Sequence, residues 1–349
     1  MHGTVVEASM RPVGRWLLAM WAMVWVMVGI GGITRLTGSG LSMVEWHPLM
    51  GALPPLTEAE WLEVFGRYKQ SPQYLTVNHW MGLSDFKRIF FWEYVHRLFG
   101  RLIGLAFFAP FAYFVFRRRL RGGGLWKAVL AFALGGGQGL LGWYMVQSGL
   151  VDQPRVSHFR LAAHLGLAFA VGAWLLWMAL DVLLARETRA APGRIVAGWL
   201  LCVGVALQVI GGAFMAGTGA GRLASTFPDM NGGFSPGPFF RFDGLVENLL
   251  HNPLAIHWTH RAFAWVLLGL GTVLAASSAR HASSGSLRVT SFLLGGALSL
   301  QFALGAVTAM WHVAVPLAVA HQLCGYLLWS ATIVYCHRLA GRGSNTAAG

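Results

Sequence analysis

The sequence predicts an all-α integral membrane protein: eight transmembrane helices forming two tandem four-helix bundles, a parallel internal repeat with both termini cytoplasmic. Three observations lead there. Of the 349 residues, 56% are hydrophobic and only 11% charged, against roughly 25% charged in a soluble domain. Runs of about 20 residues without Asp, Glu, Lys or Arg recur, the length that crosses a ~30 Å hydrocarbon core. Landmarks in the first half of the chain also return in the same order in the second.

The first apolar run, 15–33, follows a short segment at 1–14. It is too long for a signal-peptide core and lacks a small-residue cleavage site, so it reads as a retained span. No Arg- and Ser-rich transit peptide precedes it, which favours a bacterial protein. Further spans fall at 94–116, 125–147, 160–183, 195–216, 257–277, 290–311 and 316–337. The last two are separated because 289–337, which has no Asp, Glu, Lys or Arg, is too long for one span. Trp311 to Pro316 supplies the polar residue and the helix breaker of a tight turn.

The net charge of +13 could signal nucleic acid or an anionic membrane surface. The bulk composition decides against nucleic acid, because the basic residues cluster between apolar runs. Arg11 and Arg15, then Arg117, Arg118, Arg119 and Arg121, then Arg186, Arg189 and Arg194, then Arg280 and Arg288, then Arg338 and Arg342 all fall on one side of eight spans. That side is expected to be cytoplasmic. The opposite loops mix Arg35, Arg67, Lys69, Lys87 and Arg88 with Glu45, Glu58, Glu60, Glu63 and Asp85. Trp16, Trp92, Trp126, Trp258 and Trp311, near span ends, fit an aromatic belt.

Two outer loops are long, 34–92 and 217–256, and two are short, 148–157 and 312–315. In the first, Thr57-Glu58-Ala59-Glu60 is a capping-box pattern that opens a short helix with Trp61, Leu62 and Phe65 on one face, lying on the membrane or over the bundle. The second, rich in Gly and Pro from Asn231 to Pro238, is expected to be irregular. Its opening Gly217-Thr218-Gly219-Ala220-Gly221 resembles a phosphate-binding loop but has no Gly-Lys-Ser/Thr and no βαβ context, so it reads as a flexible helix exit.

The repeated landmarks are Gly31-Gly32 with Gly211-Gly212, His96-Arg97 with His260-Arg261, Gln138 to Gly142 with Gln301 to Gly305, and Ala163-His164 with Ala320-His321. They divide the chain into a bundle at 15–184, a linker at 185–194, a bundle at 195–337 and a tail at 338–349. The four histidines each fall within about two turns of the outer end of an even-numbered span, on the order of 5–10 Å into the membrane. Two imidazoles facing across a four-helix core form a bis-His haem site. A single intramembrane histidine can instead be hydrogen-bonded glue between helices, but twofold repetition at matched depth favours a cofactor. Each half offers two histidines and no Cys or carboxylate cluster, which suits haem better than zinc with its three or four ligands.

Glu93 precedes His96 by three residues and shares its helix face. It could touch the edge of a haem held by His96, accepting a proton or stabilising developing charge; equally it could be an interfacial carboxylate paired with Arg97 or Arg101. The equivalent place in the second half is His257, so the halves are chemically unequal. Arg97 and Arg261 could pair with haem propionates or snorkel to the interface. His158 lies about 240° around the helix from His164 and cannot face the same iron. His47, His79, His251 and His312 fall in loops. Cys202, Cys324 and Cys336 sit inside apolar runs, with no CxxC motif.

These residues resemble the haem A synthase family of the CtaA type over nearly the whole chain. The most specific stretches are Phe91 to Arg101 (Phe-Trp-Glu-Tyr-Val-His-Arg-Leu-Phe-Gly-Arg) and Gly149 to His164, with Thr226-Phe227-Pro228 and His260-Arg261 in support. The outer-loop cysteine pairs of some bacterial members are missing, which resembles the subgroup shared by proteobacteria and mitochondria. The resemblance implies oxidation of a methyl group of haem O to a formyl group, giving haem A for terminal cytochrome oxidase. It implies that His96 and His164 hold the substrate haem with Glu93 at the reactive site, and that His260 and His321 ligate a resident haem B. It further implies a bacterial inner membrane location with the haem sites towards the outer face, an electron donor such as a ferredoxin, and hand-over from haem O synthase. A dihaem electron-transfer cytochrome is the alternative. It commonly stacks its haems across the membrane, whereas here all four histidines lie near one face.

Overall fold

The computed structural model describes residues 2–45, 53–151, 153–184, 189–234 and 240–341, with the side chains of 2–9 left out of the description. Ten α-helices occur among them: α1 (His2–Leu36), α2 (Glu58–Tyr68), α3 (Leu83–Phe116), α4 (Gly122–Gln147), α5 (His158–Leu183), α6 (Pro192–Thr218), α7 (Leu245–His251), α8 (Pro253–Arg280), α9 (Gly285–Met310) and α10 (Val315–Ala340). All but α2 and α7 are long and apolar enough to cross a membrane, which makes eight. The chain is a multi-pass membrane protein.

The eight spanning helices start earlier than the sequence suggested, and α1, α6, α8 and α10 also end later, because the apolar stretch marks the lipid-facing part and the helix continues into the interface. The difference that moves the site is at α3, expected from residue 94 but starting at Leu83, where the Asp85 carboxylate accepts from the Gly82 N–H. His96 therefore lies thirteen residues into its helix rather than about two turns, while His164, His260 and His321 keep the expected depth within theirs.

The neighbour relations repeat. In the first half α1 packs on α3, α3 on α4, α4 on α5 and α5 back on α1. In the second, α6 packs on α8, α8 on α9, α9 on α10 and α10 back on α6. The contact between the two groups is made by α1, α5, α6 and α10. Glycines permit the closest approaches: a Cβ on Gly32 would lie 2.6 Å from Gln322 Oε1, and one on Gly29 3.1 Å from Leu323 Cδ2. Trp329 Nε1 of α10 donates to Phe169 O of α5 across the same boundary.

Trp16 is a correction to the aromatic belt. It is 8% exposed and packs against Phe107 and Phe114. Pro110 inside α3 has no N–H for the carbonyl four residues back, and the Trp16 indole donates to that freed Ala106 O at 3.1 Å. The tight turn after α9 is present. Val313 N donates to Thr308 O, with His312 and Val313 in the left-handed region at φ 52° and 60°.

The first long loop folds over the extension of α3. Thr57 caps α2 with the expected capping box, and the cap N–H groups of Leu56 and Thr57 hold the Glu60 carboxyl below its ordinary range. The packed face differs from the expected one. Trp61, Phe65 and Tyr68 meet Phe86 and Phe90 of α3, whereas Leu62 is 54% exposed. A spacing of four then three, rather than the adjacent pair 61–62, selects the buried stripe. Arg67 pairs with Glu63 within α2 and ties the helix to Glu45. The second long loop is more ordered than its composition suggested. Gly219 ends α6 at φ 72°, residues 220–222 form a 3-10 turn, and buried Asn248 of α7 accepts from the N–H groups of Arg241 and Phe242. His47, Asp152, Arg186, residues 235–239 and Arg342 lie outside the described residues.

Candidate functional site: two histidine pairs

Each of the four repeated histidines lies against the backbone of the neighbouring helix at a glycine. A Cβ on Gly31 of α1 would lie 3.1 Å from His96 Cε1, and one on Gly142 of α4 2.9 Å from His164 Cε1. In the second half a Cβ on Gly211 or Gly212 of α6 would lie 3.3 or 3.4 Å from the His260 ring, and one on Gly305 of α9 2.9 Å from His321 Cε1. The glycine landmarks of the sequence are thus the seats of the imidazoles. His96 is within electrostatic range of His164, and His260 of His321. The pairing is within each half.

Glutamines steady three of the four rings. Gln138 Nε2 donates to His164 O at 2.9 Å and lies 3.5 Å from its Nε2. Gln208 Nε2 donates to His260 O at 3.0 Å and lies 3.4 Å from its Nε2, and Gln301 Nε2 is 3.4 Å from His321 Nε2. Gln208 escaped the sequence reading, although a glutamine three residues before Gly211-Gly212 in an apolar span was a usable signal. The residue in that place before Gly31-Gly32 is Val28, so His96 has no such partner.

The fit to a haem can be tested on these rings. Nδ1 of His96, His164, His260 and His321 is buried without a hydrogen-bond partner and lies against the seating glycine, which leaves Nε2 as the nitrogen able to meet a bound group. An apolar cavity of about 180 Å³ reaches His260 between Gln208, Phe214, Ile256 and Phe263. Two imidazoles per half, in apolar surroundings and each seated on a glycine, suit axial ligation of a planar macrocycle. Among the described residues no three of His, Cys, Asp and Glu gather as a metal cluster.

Glu93 is 3% exposed and has no unused face. Its Oε2 accepts from Ser42 N at 2.9 Å, Ser42 Oγ at 3.0 Å and Met43 N at 3.3 Å; its Oε1 accepts from Arg97 Nε at 3.1 Å and Nη2 at 2.6 Å. It is a buried ion-pair partner rather than an interfacial one. Arg97 also donates to Glu45 O and Met43 O, each at 2.8 Å.

Arg261 repeats that fork. Its Nε donates to His257 Nε2 at 2.9 Å, its Nη1 to Thr226 O and Asp229 O, and its Nη2 to Ala224 O. The Asp229 carboxyl, held below its usual range by the Gly232 N–H and the Thr226 hydroxyl, shapes that loop. Neither arginine snorkels: each clamps a long loop to the helix carrying the first histidine of its half. With five N–H groups per guanidinium, one on each remains for a propionate. His158 turns away from the pair, its Nε2 2.9 Å from Leu250 O, and His251 ends α7 instead of lying in a loop. His79 and His312 are exposed, and all three cysteines are buried and free.

Residues 14–333 match the model of the COX15-CtaA family, described as cytochrome oxidase assembly protein. A protein of Parvibaculum lavamentivorans named heme A synthase is 43% identical over 338 residues, covering 96% of each chain. One of the same name from Nitrosospira multiformis is 44% identical over 95% of this chain and 94% of its own, and one from Flavobacterium johnsoniae 38% over 93% and 97%. The chain belongs to the COX15-CtaA family of cytochrome oxidase assembly proteins.

Proposed function

We propose that the protein is a haem A synthase, a membrane-bound oxidoreductase that oxidises a methyl group of haem O to a formyl group. Nearly full-length likeness to proteins of that name supports the activity. The division of work rests on one observation: the same arginine clamp holds a carboxylate, Glu93, in residues 15–184 and an imidazole, His257, in residues 195–337.

In this reading His96 and His164 hold the iron of the substrate, haem O, and the first bundle is the reaction half. His260 and His321 hold a resident haem B, which supplies one-electron storage when bound. Converting methyl to formyl adds one oxygen atom and removes four electrons from the ring carbon, so an electron-handling half beside a reaction half is chemically apt. Glu93, engaged by five donors, acts as fixed negative charge and as the anchor of residues 42–43 beside His96, rather than as a free proton acceptor. Arg97 and Arg261 can each offer their remaining N–H to a propionate. The basic segments face the cytoplasm of a bacterial inner membrane, the histidines lie towards the outer face, a ferredoxin-like protein exchanges electrons, and haem O synthase hands over the substrate.

The test is expression of the full chain in a host that makes haem O, then extraction and chromatography of the bound haems. Haem A and haem B together are expected. Haem B alone, with haem O available, would overturn the synthase reading and favour an electron-transfer cytochrome.

A further inference from the structure

The helix pairs α3–α4 and α8–α9 hold equivalent places, and both are joined by short connections, 117–121 and 281–284. Their packing is unlike. α8 and α9 meet along their length, whereas α3 and α4 touch sparsely.

An exchange of side-chain sizes accounts for this. With His96 aligned to His260 and Gln138 to Gln301, Phe107 corresponds to Gly271, Phe111 to Ala275, Phe132 to Gly295, Gly135 to Leu298 and Gly139 to Phe302. In the second half small residues bring the backbones together: a Cβ on Gly295 would lie 3.6 Å from Ala275 Cβ, and Leu298 packs onto Gly271. Nearer the histidines Phe302 fills the seam against Trp265, ring centroids 4.4 Å apart. In the first half the ring of Phe132 stands 5.8 Å from Phe107 and 6.3 Å from Phe111, propping the helices apart where the second half has its closest approach. Beyond that prop α4 offers Gly135 and Gly139, neither with any atom within 4 Å of a Cβ built on it. On α3 the residues aligned with Trp265 and Leu268 are Arg101 and Gly104, and a Cβ on Gly104 likewise meets no atom within 4 Å.

The resulting slot ends at the histidine pair. Gln138, on α4 between those glycines, bonds the His164 backbone and keeps a buried Oε1 without a partner. One turn on, the His164 ring rests on Gly142 with its buried Nδ1 equally unpartnered. An apolar slot open at the helix surface and closed by orphaned polar atoms suits a ligand with a hydrocarbon part and an iron-bearing part.

We propose that the seam between α3 and α4 is the side entrance through which haem O arrives from the bilayer, and that its prenyl tail lies along Gly135 and Gly139. This rests on the synthase reading above. The second half, with Leu298 and Phe302 in those places, keeps its seam shut around a tail-less haem.

The test gives α4 the side chains of α9 in the double variant Gly135→Leu/Gly139→Phe, made as the full chain in a host that supplies haem O. Tail-bearing haem recovered with the protein should fall about tenfold or more, because the inserted groups displace at least two methylenes of tail from apolar contact. Haem B bound in the second half should be unchanged, which also reports that the chain has folded. In titrations of purified protein the variant should keep the wild-type affinity of the first half for protohaem. Wild-type retention of haem O by the variant would overturn both the entrance and the tail site, and equal loss of haem O and protohaem would overturn the placing of the tail along Gly135 and Gly139. A graded series at Gly139 (Ala, Val, Leu) guards against misfolding, and a loss that ignores side-chain volume would also overturn it. If the wild-type chain itself takes up no haem O, the synthase reading fails first and the entrance loses its occupant with it.

Discussion

Residues 93–97 of α3 and 257–261 of α8 are built to one plan and loaded differently. Both place an arginine four residues after its helix partner, and both use the guanidinium fork to pin a long loop through its carbonyl oxygens. On α3 the partner is a carboxylate, so the buried pair is neutral. On α8 it is an imidazole that accepts at Nε2 and must carry its proton on Nδ1, so the pair keeps a net positive charge. The same fold thus offers two histidine sites that differ by one unit of charge at their rim. The α3–α4 and α8–α9 seams add a steric difference of the same kind. On the proposed reading, a few changed side chains in a duplicated frame separate two tasks.

The comparison can be broken at several points, with effects of decreasing size. His260→Ala or His321→Ala should abolish the resident haem B absorbance, since one imidazole cannot complete a bis-His site. His96→Ala should leave that absorbance intact, and optical spectra of the purified variants read both. Glu93→His would convert the first rim to the second. Loop clamping by Arg97 should survive, as His257 shows for Arg261, while haem A formation in cells falls about a hundredfold or more if the fixed negative charge assists the oxidation. Product at the wild-type level would remove Glu93 from the reaction.

Gly142→Ala and Gly305→Ala each put a Cβ 2.9 Å from a histidine ring carbon. Each should cost about 1–3 kcal/mol in its own half, as overpacking does. The readout is haem retention on dilution, and G142A should spare the second half as G305A spares the first. Gln208→Leu should weaken haem B retention by about 1 kcal/mol, one lost hydrogen bond. The reciprocal Val28→Gln should tighten the His96 site by a similar amount.

Much of the site was readable in the chain because membrane helices advertise themselves. An apolar span makes any His, Gln or Glu conspicuous, and a repeat makes it doubly so: His96, His164, His260, His321 and the Glu93/His257 difference were all found that way. The fate of Arg97 and Arg261 was not. A charged residue at a span end can snorkel, bind a ligand or clamp a loop with the same local sequence, and only the path of the loop brings Met43, Glu45, Ala224 and Thr226 to the guanidinium. Leu62 and Trp16 misled for a related reason. Hydrophobicity marks which residues avoid water, not which of their neighbours they meet.

The sequence by itself determined the eight spans, the repeated order of landmarks and the identity of the four imidazoles, because these follow from the length of an apolar run and the rarity of polar side chains within it. The tertiary structure decided that glycines seat the imidazoles, that five donors surround Glu93, and that one helix seam packs sparsely while its counterpart packs along its length. Those facts depend on pairs of residues far apart in the chain, and a side chain's volume acquires meaning only against the partner that faces it.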